Sequence, residues 1–207
     1  TAEIRRMIAN REMKSAVEIL RISRSISLTQ ALENAARWVN RRAVSDANRG
    51  SENTHSAYEA ILDQISIDYT SNTDKFDPSS IRSLVNTIKQ IEKDTKDFSR
   101  YELSAELKMD KFKNALSNKN KKAVSISSRL IDPYIRGLST RIEATSPLYK
   151  VLDTFVTTIN EFLTGKELYF KLSQGFYIKD ENGSSLNPNQ LSSGEQQLLL
   201  IFSYVLA

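Results

Sequence analysis

The chain has 207 residues, of which 40% are hydrophobic and 26% charged, with 6 Gly, 4 Pro and a net charge of +4. This is the composition of a globular protein with a real core, one that leans helical rather than disordered or all-β. The lack of Cys and the single His, His55, exclude a disulfide framework, a thiolate metal site and a cysteine nucleophile, and they speak against a zinc site or a catalytic triad.

No apolar run exceeds Leu198–Phe202, far short of the roughly 20 residues a membrane-spanning helix needs. No secretory pattern opens the chain. The expectation is a soluble cytoplasmic protein with no membrane partner. The missing initiator Met and the apolar stretch from Leu198 to Ala207 suggest an ordered part of a longer protein, because a helix apolar on all sides needs neighbours to bury it.

In chain order, residues 1–50 hold ten Lys and Arg against five acids, and the rest is close to neutral. Such a bias suits phosphate backbones or an acidic partner. Spread-out Arg without interleaved aromatics is more simply a solvated helix face. Ser27-x-x-Gln30 has the form of a capping box opening a helix through Leu28, Leu32, Ala35 and Val39. A polar stretch, 46–54, then leads to a helix around Tyr58–Ile67. His55 at that boundary reads as a solvated residue at a helix start.

Asp77-Pro78, Asp132-Pro133 and Ser146-Pro147 each pair an N-cap residue with a Pro at the first helical position, so helices are expected to begin near 78, 133 and 147. Ile81, Leu84, Ile88, Ile91, Thr95 and Phe98 alternate steps of three and four, the spacing of a coiled-coil seam. An antiparallel helical arm over 77–146 is expected, returning through Val124, Ile131, Ile135, Leu138 and Ile142, with Asn118–Lys122 at its tip. The helix after Pro147 carries Leu148, Leu152, Phe155, Ile159 and Phe162 and stops near Gly165. Leu168–Leu172 and Phe176–Lys179 are strand-prone, and Glu181-Asn-Gly183 is a hairpin turn ahead of Ser184-Ser-Leu186. The fold class is thus mainly α with a small β-hairpin.

Chemistry concentrates in Leu191-Ser-Ser-Gly-Glu-Gln-Gln197, between the strands and the apolar helix. Two Ser and a Gly at a helix start offer free N–H groups, hydroxyl donors and close approach to an anion. The order of residues resembles the signature motif of ABC-type ATPases, in the LSSGEQQ form of prokaryotic AAA-labelled relatives of the SMC, RecF and OLD (overcoming lysogenisation defect) families. That group includes phage-defence ATPases of retron, Septu and PARIS type. The segment from Ala47-Asn-Arg-Gly50 through His55–Glu59 bears a looser likeness to the helical insert of the retron and Septu proteins. The close resemblance covers about 150–207; before that it is architectural. It departs from the usual signature in having Ser193 where a second Gly stands.

The resemblance implies a three-part organisation: a helical region over 1–76, the coiled-coil arm over 77–146, and part of the C-terminal lobe of an ATPase head over 147–207. It implies ATP sandwiched between two heads, each signature closing over the γ-phosphate held by the other's Walker A loop. Ser192 would donate its hydroxyl, Gly194 its N–H and Ser193 either, with Glu195 and Gln196 flanking the nucleotide. Mg²⁺ would act with ATP, its ligands lying outside this segment, and no catalytic residue is expected within it.

No Walker A pattern is present: Gly165-Lys166 is followed by Glu167, and Asn160 stands where the first Gly belongs. Tyr177–Glu181 fails as Walker B, because Lys179 interrupts the strand and a turn follows. The 207 residues alone should therefore be inactive, while the parent protein hydrolyses ATP. Its expected partners are a second copy or a higher homo-oligomer, with room for an effector nuclease or toxin and for nucleic acid, in phage defence or DNA repair. The competing reading is a nucleotide-independent helical scaffold that binds a protein or nucleic acid. An independent acid–base enzyme has little support, since the acids are dispersed along helical faces.

Overall fold

The computed structural model describes residues 18–47, 59 and 77–206. His55, the basic residues before 18 and nearly all of the expected helix around 58–67 lie outside them. The described chain is mainly helical with one small antiparallel sheet. No described helix is long and apolar enough to cross a membrane. The chain divides into two compact units, one formed by Thr1–Asn40 with Val151–Ala207 and one by Arg41–Lys150.

In the first unit, helix α1 (described over 18–47) buries Leu28, Ala31, Leu32, Ala35 and Val39. Their steps of three and four put them on one face. Ser27 does not begin this helix. Its hydroxyl donates to the Ser23 carbonyl four residues back at 3.0 Å, the bond a helix-interior Ser makes when the preceding turn is already formed.

Helix α4 (Lys121–Phe162) supplies Leu152, Phe155, Val156 and Ile159 to the same unit. After a three-residue link in which Gly165 takes a left-handed φ of +67°, the chain forms strands β1 (Lys166–Lys171), β2 (Gly175–Asp180) and β3 (Ser185–Leu186), in that order across the sheet. Tyr169 pairs with Tyr177, and Ile178 with Leu186. The turn expected at Glu181–Gly183 joins β2 to β3. A second turn at 172–174 joins β1 to β2.

Alternation sends Leu168 and Phe170 inward and Glu167 and Tyr169 outward. Phe176 packs against Phe170 at 4.7 Å and edge-on to Phe155 at 5.2 Å between ring centroids. Asn160 joins helix to sheet: its amide donates to the Leu168 carbonyl at 3.0 Å and its carbonyl accepts from the Leu168 N–H at 2.7 Å.

In the second unit, helix α2 (Pro78–Ser99) starts where the sequence indicates. Asp77 caps it by accepting from the Ser79 and Ser80 N–H groups, and Pro78 needs no partner. Leu84, Ile88, Ile91, Thr95 and Phe98 are buried. Its end closes with Glu102 at φ +61°, the Leu103 N–H on the Phe98 carbonyl and the Glu102 N–H on Ser99, which is a Schellman motif.

The chain then turns back along α2 earlier than the spacing suggests. Leu107 N–H donates to the Thr95 hydroxyl, and Met109 N–H to Glu92 at 2.8 Å. Lys113, in helix α3 (Asp110–Leu116), pairs with both Glu92 and Asp110. These bonds, the Met109 N–H first, hold the Glu92 carboxyl below its ordinary value. The leg running back beside α2 thus begins with 103–116, and the expected return residues Ile131, Ile135, Leu138 and Ile142 of α4 pack in the same core as α2. Phe98 meets Tyr149 of α4 at 4.8 Å, near that helix's middle and not its start.

No helices begin at 133 or 147: Pro133 and Pro147 are interior to α4. Each forfeits one backbone hydrogen bond, at about 3 kcal/mol. Ile131, Ile135, Ile142 and Leu148 stay buried across both breaks, each worth roughly 1.5–3 kcal/mol, so packing outweighs the local loss. Asp132, an expected cap, instead pairs with Arg136 one turn on at 2.7 Å.

Candidate functional site

The motif lies in the first unit, where a short 3-10 turn, Pro188–Gln190, leads into helix α5 (Ser193–Leu206). Gln190 folds back so that its side chain accepts from the Asn187 N–H at 2.7 Å. Arg21 of α1 donates to the Asn189 carbonyl at 3.1 Å, and Leu191 is buried. The loop ahead of Ser192 is therefore held from three sides.

Ser192 and Glu195 form a reciprocal capping box. The Ser192 N–H donates to the Glu195 carboxylate at 2.7 Å, and the Glu195 N–H donates to the Ser192 hydroxyl at 3.3 Å. A helix leaves its first N–H groups without partners in its own ladder. The box satisfies two of them, and those of Ser193 and Gly194 remain directed at the helix's positive end. Ser192, Ser193 and Gly194 are all exposed. A Cβ built on Gly194 would meet nothing within 4 Å among the described residues.

The next two residues are turned inward. Gln196 is 2% exposed, and its amide donates to the Pro188 carbonyl at 2.8 Å. Glu195 receives both its carboxylate oxygens' ion-pair contacts from Lys166 at the start of β1, at 3.0 and 2.9 Å. Burial pushes the Glu195 carboxyl up, but the bonds from Lys166 and Ser192 outweigh it and keep it below the ordinary glutamate range. Glu195 is a charged carboxylate at neutral pH.

Lys166 and Pro188 are the members that sequence reasoning missed. Lys166 was legible only as a failed Walker A lysine, and its ion pair spans 29 residues. The Ser192-x-x-Glu195 box was available as a local pattern. Asp180 takes part in a turn, accepting from the Asn182 and Ser184 N–H groups at 3.0 and 2.8 Å.

The arrangement can receive an anion, with two backbone donors, two hydroxyls and open space over a glycine, and so it fits a phosphate oxygen. Among the described residues no cluster of three or more His, Cys, Asp or Glu side chains is placed to hold a metal, so no step through Mg²⁺ follows from these residues. No protein-family model matches the chain, and no curated protein matches it.

Beyond α5's first turn, Leu199, Ser203 and Leu206 are buried while Ile201, Tyr204 and Val205 are exposed. The helix presents two apolar faces, of which this unit covers one.

Proposed function

We propose that this chain is part of an ABC-type ATPase and that Ser192, Ser193 and Gly194 are its signature surface, closing on the γ-phosphate of ATP bound by a second copy. The observation that carries the reading is the pair of N–H groups that the capping box leaves at Ser193 and Gly194, under open space. Two backbone donors at a helix start, with flanking hydroxyls, favour a phosphate over a neutral group. In this reading the 147–207 segment belongs to the C-terminal lobe of a head, and 77–146 forms its arm.

The chain's own part in the reaction is to bind and orient. Ser193 and Gly194 donate N–H groups to phosphate oxygens, Ser192 and Ser193 add hydroxyl donors, and Gln196 and Leu191 fix the loop from beneath. Mg²⁺ bound with ATP would supply charge neutralisation, and its ligands are not among the described residues. The parent protein is an ATP hydrolase acting as a homodimer or higher homo-oligomer in the cytoplasm. Head closure controls an effector in phage defence or DNA repair.

The test uses the full-length protein and two substitutions at one position. Gly194→Ala enters open space and replaces a poor helix former, so it should keep or raise stability by up to about 1 kcal/mol. Gly194→Asp suits a helix start but sets a carboxylate against the phosphate. It should fold normally and lose ATP-dependent dimerisation in sedimentation velocity. A Gly194→Asp protein that dimerises on ATP as the parent does would overturn the assignment.

A further inference from the structure

We infer that Lys166 is a positioning residue that draws the Glu195 carboxylate away from the phosphate surface of 192–194. This rests on the phosphate reading of that surface. Glu195 is the third residue of α5, on the same turn as the two N–H groups offered to the anion. A free carboxylate there would place a second negative charge beside the γ-phosphate. The structure resolves the conflict with one side chain from β1.

The Lys166 ammonium contacts both Glu195 oxygens at 2.9 and 3.0 Å, with 23% and 12% of the two side chains exposed. A partly buried, two-point pair is far less screened than a surface one. One of the same oxygens accepts the Ser192 N–H at 2.7 Å. Lys166 therefore neutralises the carboxylate, turns it toward the sheet and holds the cap in the geometry that keeps the Ser193 and Gly194 N–H groups open. Without the ammonium, Glu195 keeps its charge in the first turn and opposes the incoming phosphate.

The cleft beside Lys166 is itself acidic. Glu167, Asp180 and Glu181 line it with Lys166, and Glu181 approaches Gly165 of the preceding link. Lys166 is the cation in that lining, so its replacement changes charge as well as geometry. A charge-rescue design separates the two.

The experiment measures, in the full-length protein, the ATP concentration that gives half-maximal dimerisation. Lys166→Met should raise it on the order of tenfold, a like-charge effect of about 1.4 kcal/mol. Combining Lys166→Met with Glu195→Gln should bring it back near the parent value, because the amide still accepts the Ser192 N–H and carries no charge. Lys166→Arg should behave like the parent. Thermal melting is recorded for each variant. Should Lys166→Met alone fail to fold, the double variant decides: dimerisation near the parent level supports the inference and its loss overturns it.

The inference is overturned if Lys166→Met dimerises like the parent, or if the double variant stays as weak as the single one. In either case the phosphate reading survives, since the parent protein still responds to ATP. A parent protein that shows no ATP-dependent dimerisation removes the phosphate reading first and this inference with it.

Discussion

Two residues hold backbone positions unusual for their type. Gly194 sits in the first turn of α5 with nothing within 4 Å of where a Cβ would lie, although glycine weakens a helix by about 1 kcal/mol relative to alanine. In the proposed reading, the close approach of a phosphate accounts for it. Glu102 is the converse case: at φ +61° it occupies the left-handed position of a Schellman turn that glycine normally fills. Glu102→Gly should raise stability by about 0.5–1 kcal/mol in denaturant unfolding; a loss would show that the Glu102 side chain supports the turn. The same short pattern also has opposite outcomes at two places. Ser27-x-x-Gln30 lies inside a helix and Ser192-x-x-Glu195 begins one, because only the second follows a turn that ends in extended backbone at Leu191. The pattern is local, but the choice between the two sites is not.

Among the elements, α2 was legible almost completely. Asp77 and Pro78 mark its start, and the alternating steps from Ile81 to Phe98 give its buried face. The strand-prone segments and the Glu181–Gly183 turn were legible too, since alternation and turn chemistry are carried by adjacent residues. The arm was legible in part: Ile131, Ile135, Leu138 and Ile142 do share α2's core, but the leg over 103–116 was not foreseen. Leu107, Met109 and Lys113 attach to Thr95 and Glu92 through polar bonds, and hydrophobic spacing does not register those. Nor does Pro at 133 and 147 reveal that tertiary burial carries α4 through both.

The junction of α4 with β1 depends on Asn160, whose side chain stands in for a strand partner at both polar groups of Leu168. Leu168 is fully buried, so Asn160→Ala leaves an unsatisfied donor and acceptor there. It should lower unfolding free energy by about 2 kcal/mol. Loss of under about 0.5 kcal/mol would mean that water or a shifted strand replaces both bonds.

At the scale of the whole molecule, the unit that carries the candidate site is assembled from distant parts of the chain. Arg21 bonds the loop at Asn189 across 168 residues, and Lys166 reaches Glu195 across 29. Sequence pattern therefore located the exposed motif, Ser192 to Gly194, while the residues that hold it in place came from segments no local rule connects. The second unit, Arg41–Lys150, has its own core of Leu84, Ile88, Ile91, Met109, Ile131 and Ile135.

The central claim is that the γ-phosphate of ATP meets the first turn of α5. The most direct measurement is photo-crosslinking of the full-length protein with an ATP analogue bearing a photoreactive group on its γ-phosphate, followed by peptide mapping. The label should fall on the segment from Leu191 to Gln197 and be displaced by excess ATP. An ATP-displaceable label that lands elsewhere and never on that segment would contradict the claim.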